Sequence, residues 1–340
     1  MRDNIENKKT DSSHARGIVK LSDIFIVLIG IYFFVYSTIH GTNFYQMTQL
    51  NALVYSAWGL VWNMVKLLVL IKVLIEYRSR DWKVIFLIVF SILLSLKSDG
   101  SWFTDAVWII CSLKNVNYKS LLKCVFFALM MSMACIVGLC LIGKIGNEIY
   151  YRNDGIVRYS LGYQHPNTLA IRIFELCAVF VCILQGKLRY IHSVVFFIIM
   201  FFIKYVTDST TAVLLMGLMA FLTLFICYAN NSGKKKIGYL RRFVRFWIDK
   251  MKYIVIIMPI LAIFIVLNSS WLRDMVDGTL LSRIEQATFY YNVYGVKLLG
   301  SKLELNNNIK NWSLYTNLYT LDNAYMYISR KNGLFSASSL

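Results

Sequence analysis

The residues best suited to chemistry in this chain lie in one short segment at the start of an apolar run. The segment reads Arg158-Tyr-Ser-Leu-Gly-Tyr-Gln-His165-Pro166-Asn167 and holds one of only 4 histidines and one of only 2 prolines in 340 residues. Polar side chains at the edge of a hydrocarbon core are costly to hold and are therefore candidates for function. An arginine can bind a phosphate through its planar fork, and a histidine can give or take a proton near neutral pH.

The composition around this segment is typical of an integral membrane protein, because 58% of the residues are hydrophobic and they fall into long runs. We predict an all-α, polytopic fold with about nine or ten transmembrane helices. The predicted spans are Ile24–Ile39, Ala52–Ile75, Val84–Leu96, Trp102–Leu113, Leu121–Ile142, Pro166–Leu184, Ile191–Tyr205, Thr211–Tyr228 and Tyr253–Leu267. A tenth run begins near Asp322 and stops almost at once. The third and fourth spans are short for a bilayer of about 30 Å.

The net charge of +18 lies mainly between the apolar runs, where it controls topology. With the N-terminus in the cytoplasm, the inside segments hold roughly 21 Lys and Arg in about 70 residues, and the outside segments roughly 10 in about 96. This distribution favours anionic membrane lipid as a partner and excludes nucleic acid. It predicts a multi-pass protein of the cytoplasmic membrane. The predicted parts are a cytoplasmic tail (1–23), a membrane core (24–267, with a basic cytoplasmic loop at 229–252), a large extracytoplasmic loop (268–321) and the start of a final span (322–340).

The sequence contains no motif of the common nucleotide-dependent or metal-dependent enzymes. There is no Walker A loop, no Gly-rich dinucleotide turn, no nucleophile elbow and no His-Glu-x-x-His. The 7 cysteines are scattered, mostly inside apolar runs, and form neither a CxxC pair nor a Cys/His cluster. We therefore expect no metal and no cofactor, and we interpret the cysteines as small packing residues.

Further polar residues stand at the ends of the predicted spans that share the extracytoplasmic side with the opening segment. Asp208-Ser-Thr-Thr begins one span, and the large loop contains Leu281-Ser-Arg283-Ile-Glu285. That loop ends in Leu321-Asp322-Asn323-Ala-Tyr325. Purely structural roles remain open for these residues: Arg158 can lie along the lipid interface, and Asn167 or Asp322 can cap a helix. Within the sixth span, Arg172 and Glu175 are spaced to form an internal ion pair.

Taken together, these elements resemble bacterial surface-polysaccharide repeat-unit polymerases, the O-antigen polymerase and ligase-like family. The resemblance is carried by Arg158…Gly162-Tyr-Gln-His165-Pro-Asn167, the Asp208 turn, the loop with Arg283, and Asp322-Asn323-x-Tyr325. It implies a membrane glycosyltransferase whose substrate is an undecaprenyl-diphosphate-linked oligosaccharide, with a flippase and a chain-length regulator as protein partners. It also implies catalytic roles for Arg158, His165 and Arg283, and substrate binding by Asn167, Asp208, Asp322, Asn323 and Tyr325.

The chemistry of such a reaction matches these residue types. Arginines stabilise a departing diphosphate, and a histidine or carboxylate near the acceptor hydroxyl acts as general base or orienter. Three alternatives stay open: a ligase with another acceptor, a flippase or exporter of the lipid-linked oligosaccharide, and an inactive remnant. The inactive remnant is considered because family members continue through further spans. In this chain only about fifteen residues follow Tyr325, too few to cross a bilayer. We therefore expect a C-terminally truncated product that is inactive or severely impaired.

The charge asymmetry predicts that the segment 268–321 lies outside the cell. An Asn306→Cys variant, in a background without the native cysteines, is therefore expected to react with a membrane-impermeant thiol reagent on intact cells. The matched control, Lys235→Cys in the basic loop, is expected to react only after permeabilisation. The reverse pattern of labelling overturns the predicted orientation.

Overall fold

The computed structural model describes residues 2–76, 82–97, 101–151, 155–184 and 187–231, together with the single positions 250, 253 and 261. Its helices are α1 (Arg2–Ile39), α2 (Thr48–Glu76), α3 (Trp82–Lys97), α4 (Ser101–Cys111), α5 (Tyr118–Leu141), α6 (Pro166–Leu184), α7 (Tyr190–Thr207) and α8 (Thr210–Asn231). A single 3-10 turn (Asn43–Gln46) links α1 to α2, and a hairpin of β1 (Ile149–Tyr151) and β2 (Val157–Tyr159) lies between α5 and α6.

The all-α, polytopic membrane fold is confirmed. Among the described residues, six helices are long and apolar enough to cross a membrane, namely α1 from Leu21 onward, α2, α5, α6, α7 and α8. The predicted spans three and four correspond to the shorter helices α3 and α4, and the predicted spans nine and ten lie outside the described residues. A 24-residue helix such as α5 is about 36 Å long, enough for a hydrocarbon core of about 30 Å.

The chain divides into two compact units. Unit 1 comprises Met1–Tyr77 and Ser112–Gly238, and unit 2 comprises Arg78–Cys111 and Tyr239–Leu340. In unit 1, α1 packs against α2 and α5, α5 packs against α6, and α6, α7 and α8 pack against one another. In unit 2, α3 packs against α4. All the described candidate residues belong to unit 1.

Small and hydroxyl-bearing residues allow α1 and α5 to approach closely. A Cβ atom on Gly30 would lie only 2.4 Å from Cys124 Sγ, so the helix backbone takes the room of a side chain there. Farther along the same interface, Thr38 Oγ1 and Ser132 Oγ form a buried hydrogen bond of 3.0 Å. Close backbone approach and interhelical hydroxyl bonds are the usual way in which helices associate in lipid, where apolar burial gives no driving force.

A buried ion pair fastens three segments of unit 1 at the end where α2 stops and α5 starts. Lys72 Nζ donates to Glu76 Oε1 (2.5 Å), to Ser22 Oγ of α1 (3.2 Å) and to the Lys114 carbonyl (3.1 Å). These bonds use all three ammonium protons, and both charged side chains are almost completely buried. The Lys114 ammonium in turn donates to the Glu76 carbonyl (2.9 Å).

Removing one partner of this pair leaves the other charge buried without compensation. We therefore expect Lys72→Met to destabilise the detergent-solubilised protein by about 3–5 kcal/mol. The double variant Lys72→Met, Glu76→Gln is expected to recover part of that loss. Thermal unfolding in one detergent measures both effects.

Lys66→Met on the same helix is the matched control, because Lys66 lies over the Trp62 ring (5.2 Å) and is only partly buried. We expect it to lower stability by about 0.5–1 kcal/mol. Equal unfolding temperatures for the Lys66 and Lys72 variants would show that the buried pair does not hold the helices together.

Candidate functional site

Two loops of unit 1 join at the end of the bundle where α6 begins, which we call the loop end. The α1–α2 turn and the α5–α6 loop meet in an antiparallel bridge between Thr42 and Tyr163. The Gln164 amide donates to the Gly41 carbonyl (3.0 Å) next to it. Thr42 and Tyr163 are both essentially inaccessible to solvent, so the bridge is part of the protein interior.

The buried side chain of Asn43 also holds the two loops together at this junction. It is fully buried, and its Nδ2 donates to the carbonyls of Gly146 (2.9 Å) and Tyr163 (3.3 Å), while its backbone amide donates to the Gly162 carbonyl (2.8 Å). Gly162 has a φ of 87°, in the left-handed region that favours glycine. A tight turn and a buried amide thus hold the α5–α6 loop against the α1–α2 turn.

The β-hairpin carries the first candidate, Arg158, to this junction. Tyr150 of β1 lies opposite Arg158 of β2 in the antiparallel register. The hairpin is closed by Ser160, whose amide donates to the Glu148 carbonyl (3.2 Å) and whose Oγ accepts from the Glu148 amide (3.0 Å). These strands are not predictable from the sequence, because three-residue strands between two long apolar helices leave no periodic pattern.

Arg158 is half-buried and bound to two different elements. Its Nε donates to the carbonyl of Thr207 at the end of α7 (2.7 Å), and its Nη2 donates to Oδ1 of Asn167 in the first turn of α6 (2.6 Å). Both acceptors are neutral, and these two bonds set the plane of the guanidinium. The orientation of a bidentate anion-binding group is therefore set by the protein.

His165 is linked to the same asparagine. The backbone amide of Asn167 donates to His165 Nδ1 (3.1 Å), so Nδ1 carries the lone pair and Nε2 carries the proton of the neutral ring. The ring lies 4.9 Å from that of Tyr150. Burial and the bond to Glu148 raise the pKa of Tyr150, which keeps this hydroxyl protonated. Arg158, Asn167 and His165 thus form one hydrogen-bonded chain at the start of α6.

Asp208 follows directly after Thr207, the residue whose carbonyl binds Arg158. Its side chain is 3% exposed, its backbone is left-handed (φ 44°), and it pairs with Lys204 one turn earlier. The structure therefore brings together four of the predicted site residues: Arg158, His165, Asn167 and, beside them, Asp208. The other four, Arg283, Asp322, Asn323 and Tyr325, lie outside the described residues.

A groove of about 570 Å³ begins beside this chain and runs along α6. It is lined by apolar residues of α1, α5 and α6 and by three polar side chains: Thr168, Arg172 and Glu175. The predicted ion pair is confirmed, with Arg172 Nη1 2.7 Å from Glu175 Oε2. Tyr163 lies near the same pair, and its burial raises its pKa to about 12.

His40, which was not among the predicted site residues, has aromatic neighbours on α1 and α2. Its ring stacks on Tyr36 at 4.2 Å and meets the edge of Trp58 at 5.2 Å. Its Nδ1 lies 3.1 Å from the Tyr36 carbonyl. The one available signal was its position between a span and the sequence Gly41-Thr42-Asn43, which contributes the bridge.

Among the described residues, no group of three or more His, Cys, Asp and Glu side chains is placed to hold a metal ion. Comparisons with family models, with curated proteins and with solved structures gave no match. The resemblance to polysaccharide polymerases therefore rests on the motifs, and family membership stays a prediction.

Gly162 is where the geometry of the loop end is most constrained. Besides its positive φ, a Cβ there would lie 3.0 Å from Cys140 Cβ, the Ile136 carbonyl and Ile145 Cδ1. We expect Gly162→Ala to destabilise the protein by about 1–2 kcal/mol from backbone strain alone.

Gly59→Ala is the matched control, because no described atom lies within 4 Å of its Cβ position and it sits inside α2. Alanine stabilises a helix interior by up to about 1 kcal/mol relative to glycine. Thermal unfolding should therefore move in opposite directions for the two variants. A Gly162→Ala protein as stable as the parent would mean that the loop junction tolerates a different backbone.

Proposed function

We propose that this chain is a membrane glycosyltransferase that joins undecaprenyl-diphosphate-linked oligosaccharide repeat units into a surface polysaccharide. The polymer would be of the capsular, exopolysaccharide or O-antigen type, made at the outer face of the cytoplasmic membrane. The observation that carries the proposal is the hydrogen-bonded chain Arg158–Asn167–His165 at the first turn of a membrane-spanning helix. A cation, a ring donor and an amide at that depth suit a substrate whose polar group sits at the membrane surface.

The role of Arg158 follows from its orientation. The reaction separates a sugar from a lipid diphosphate, so negative charge develops on the departing group. A guanidinium already held by Thr207 and Asn167 stabilises that charge without having to reorganise during the step. His165, whose neutral ring carries its proton on Nε2, is suited to donate a hydrogen bond to the sugar or to a phosphate oxygen.

The groove along α6 supports a lipid-linked substrate. Apolar side chains of three helices line it. On α6 its lining residues lie between positions 168 and 179, so the groove begins one residue after Asn167. Such a surface suits an isoprenoid chain whose diphosphate lies at the loop end. Arg283, Asp322, Asn323 and Tyr325 are proposed to complete the site, and a flippase and a chain-length regulator to act with it.

The test is conversion of a labelled lipid-linked repeat unit by membranes that contain the protein. We expect Arg158→Lys to lower the rate of polymer formation about 10- to 100-fold, because a point charge loses a charge-assisted bond worth about 1.5–3 kcal/mol. The chosen control is Arg189→Lys, since Arg189 precedes α7 at the opposite end of α6.

The products separate the possible outcomes. Long polymer from the parent protein supports the polymerase, whereas transfer of a single unit to another acceptor indicates a ligase. Equal rates for the parent, Arg158→Lys and Arg189→Lys proteins would show that Arg158 only anchors the hairpin. No consumption of the lipid-linked donor by the parent protein is the result expected of the inactive remnant, and it overturns the proposed function for this chain.

A further inference from the structure

His40 and His165 are both close in sequence to the bridge at the loop end. In the antiparallel bridge Thr42 pairs with Tyr163, and the next residues outward, Gly41 and Gln164, share a hydrogen bond. The residues that follow in each direction are His40 and His165. The two histidines, more than a hundred residues apart in sequence, thus each lie two residues from the bridge and on the same side of it.

The end of α1 also lies against the first turn of α6. A Cβ atom on Gly41 would be 3.0 Å from Thr168 Cγ2, and Thr168 lines the groove. Tyr36, on which the His40 ring stacks, lines the same groove. His40 therefore stands at the end of the groove where the polar chain of Arg158, Asn167 and His165 begins.

The hydrogen bonds of the two histidines assign opposite tautomers. His40 Nδ1 faces the Tyr36 carbonyl at 3.1 Å, and a carbonyl only accepts, so the proton of the neutral His40 ring is on Nδ1. In His165 the proton is on Nε2, because Nδ1 accepts from the Asn167 amide. Within the described part of the chain, His40 Nε2 has no hydrogen-bond partner. His40 Nε2 thus carries a lone pair, whereas His165 Nε2 carries a proton.

The surroundings of His40 hold its ring in place and favour its neutral form. Tyr36 and Trp58 clamp the ring at centroid distances of 4.2 and 5.2 Å. The ionisable groups that face it are Tyr36 on its own helix, Tyr55 on α2 at 6.2 Å, and Arg172 on α6. Burial, and then the positive charge of Arg172, lower the pKa of His40, against a raising effect of the Tyr36 carbonyl.

We propose that His40 is the general base of the transfer reaction and that His165 is a hydrogen-bond donor to the same substrate pair; this rests on the proposed function. The acceptor hydroxyl oxygen forms a bond to the anomeric carbon of the donor. The bond from that carbon to the diphosphate oxygen breaks, and the lipid diphosphate leaves with the electron pair. The hydroxyl proton moves to His40 Nε2 and from there to water.

The tautomers can be measured without any activity. The chain has only 4 histidines, so ¹⁵N-histidine labelling of the protein in lipid gives a spectrum that His40→Gln, His165→Gln and His192→Gln variants assign. We expect the proton of His40 on Nδ1, and the protons of His165 and His192 on Nε2, since His192 Nδ1 also accepts a backbone bond (2.8 Å). A His40 ring that carries its proton on Nε2, or is charged at pH 7.5, overturns the assignment.

The catalytic role is tested by transfer of the labelled lipid-linked donor in membranes. We expect His40→Gln to lower the rate about 100-fold while donor binding is retained, as for loss of a general base. In the parent the rate should fall as acid protonates His40, and this acid limb should be missing in the variant. Added imidazole should partly restore a His40→Ala protein. His192→Gln is the control, because glutamine can accept the same helix-capping bond.

Each outcome has one meaning. Loss of transfer with retained binding, together with rescue by imidazole, supports His40 as the base. A His40→Gln protein that transfers as fast as His192→Gln overturns that role and leaves the proposed function standing. Loss of donor binding in His40→Gln also overturns it, because His40 is then a binding or structural residue. If the parent protein never consumes the donor, the proposed function itself fails and this inference fails with it.

Discussion

The bridge between Thr42 and Tyr163 is the contact on which the loop end depends. It joins two loops that α1, α2, α5 and α6 would otherwise present separately, and it does so with backbone groups removed from water. A buried backbone amide without a partner is costly, so the pairing fixes the register of both loops. The hairpin, the start of α6 and the last turn of α1 then have defined positions, and the polar side chains they carry meet.

The buried charged side chains in the described part of unit 1 are also paired. At one end the ammonium of Lys72 is enclosed by three acceptors, and the pair is shut off from solvent. Near the loop end Arg172 and Glu175 are also paired, but their side chains are 20% and 40% exposed along a groove. The first pair is placed to fasten helices, whereas the second is placed where a ligand can reach it.

The helices were predictable from sequence because a run of apolar residues long enough for a bilayer is a local signal. The predicted sixth span, Pro166–Leu184, coincides with α6, and the pair of Arg172 and Glu175 followed from helical spacing alone. The grouping of Arg158, His165 and Asn167 was suggested by their closeness in the chain. His40 was missed because Trp58 and Tyr55 reach it from α2, and its nearness to the bridge depends on contacts that are distant in sequence. The link from Asn43 to Tyr163 spans 120 residues. No local sequence pattern encodes such a contact, and the three-residue strands of the hairpin also leave no recognisable pattern.

The groove beside α6 has a consequence for how a ligand would arrive. It lies along α6 and is lined by side chains of α1, α5 and α6. A lipid-linked substrate of the proposed kind would reach it from within the lipid layer, already anchored by its tail. The search is then confined to two dimensions, and occupancy depends on the number of molecules per unit area of membrane. The concentration in the surrounding water has no direct part in it.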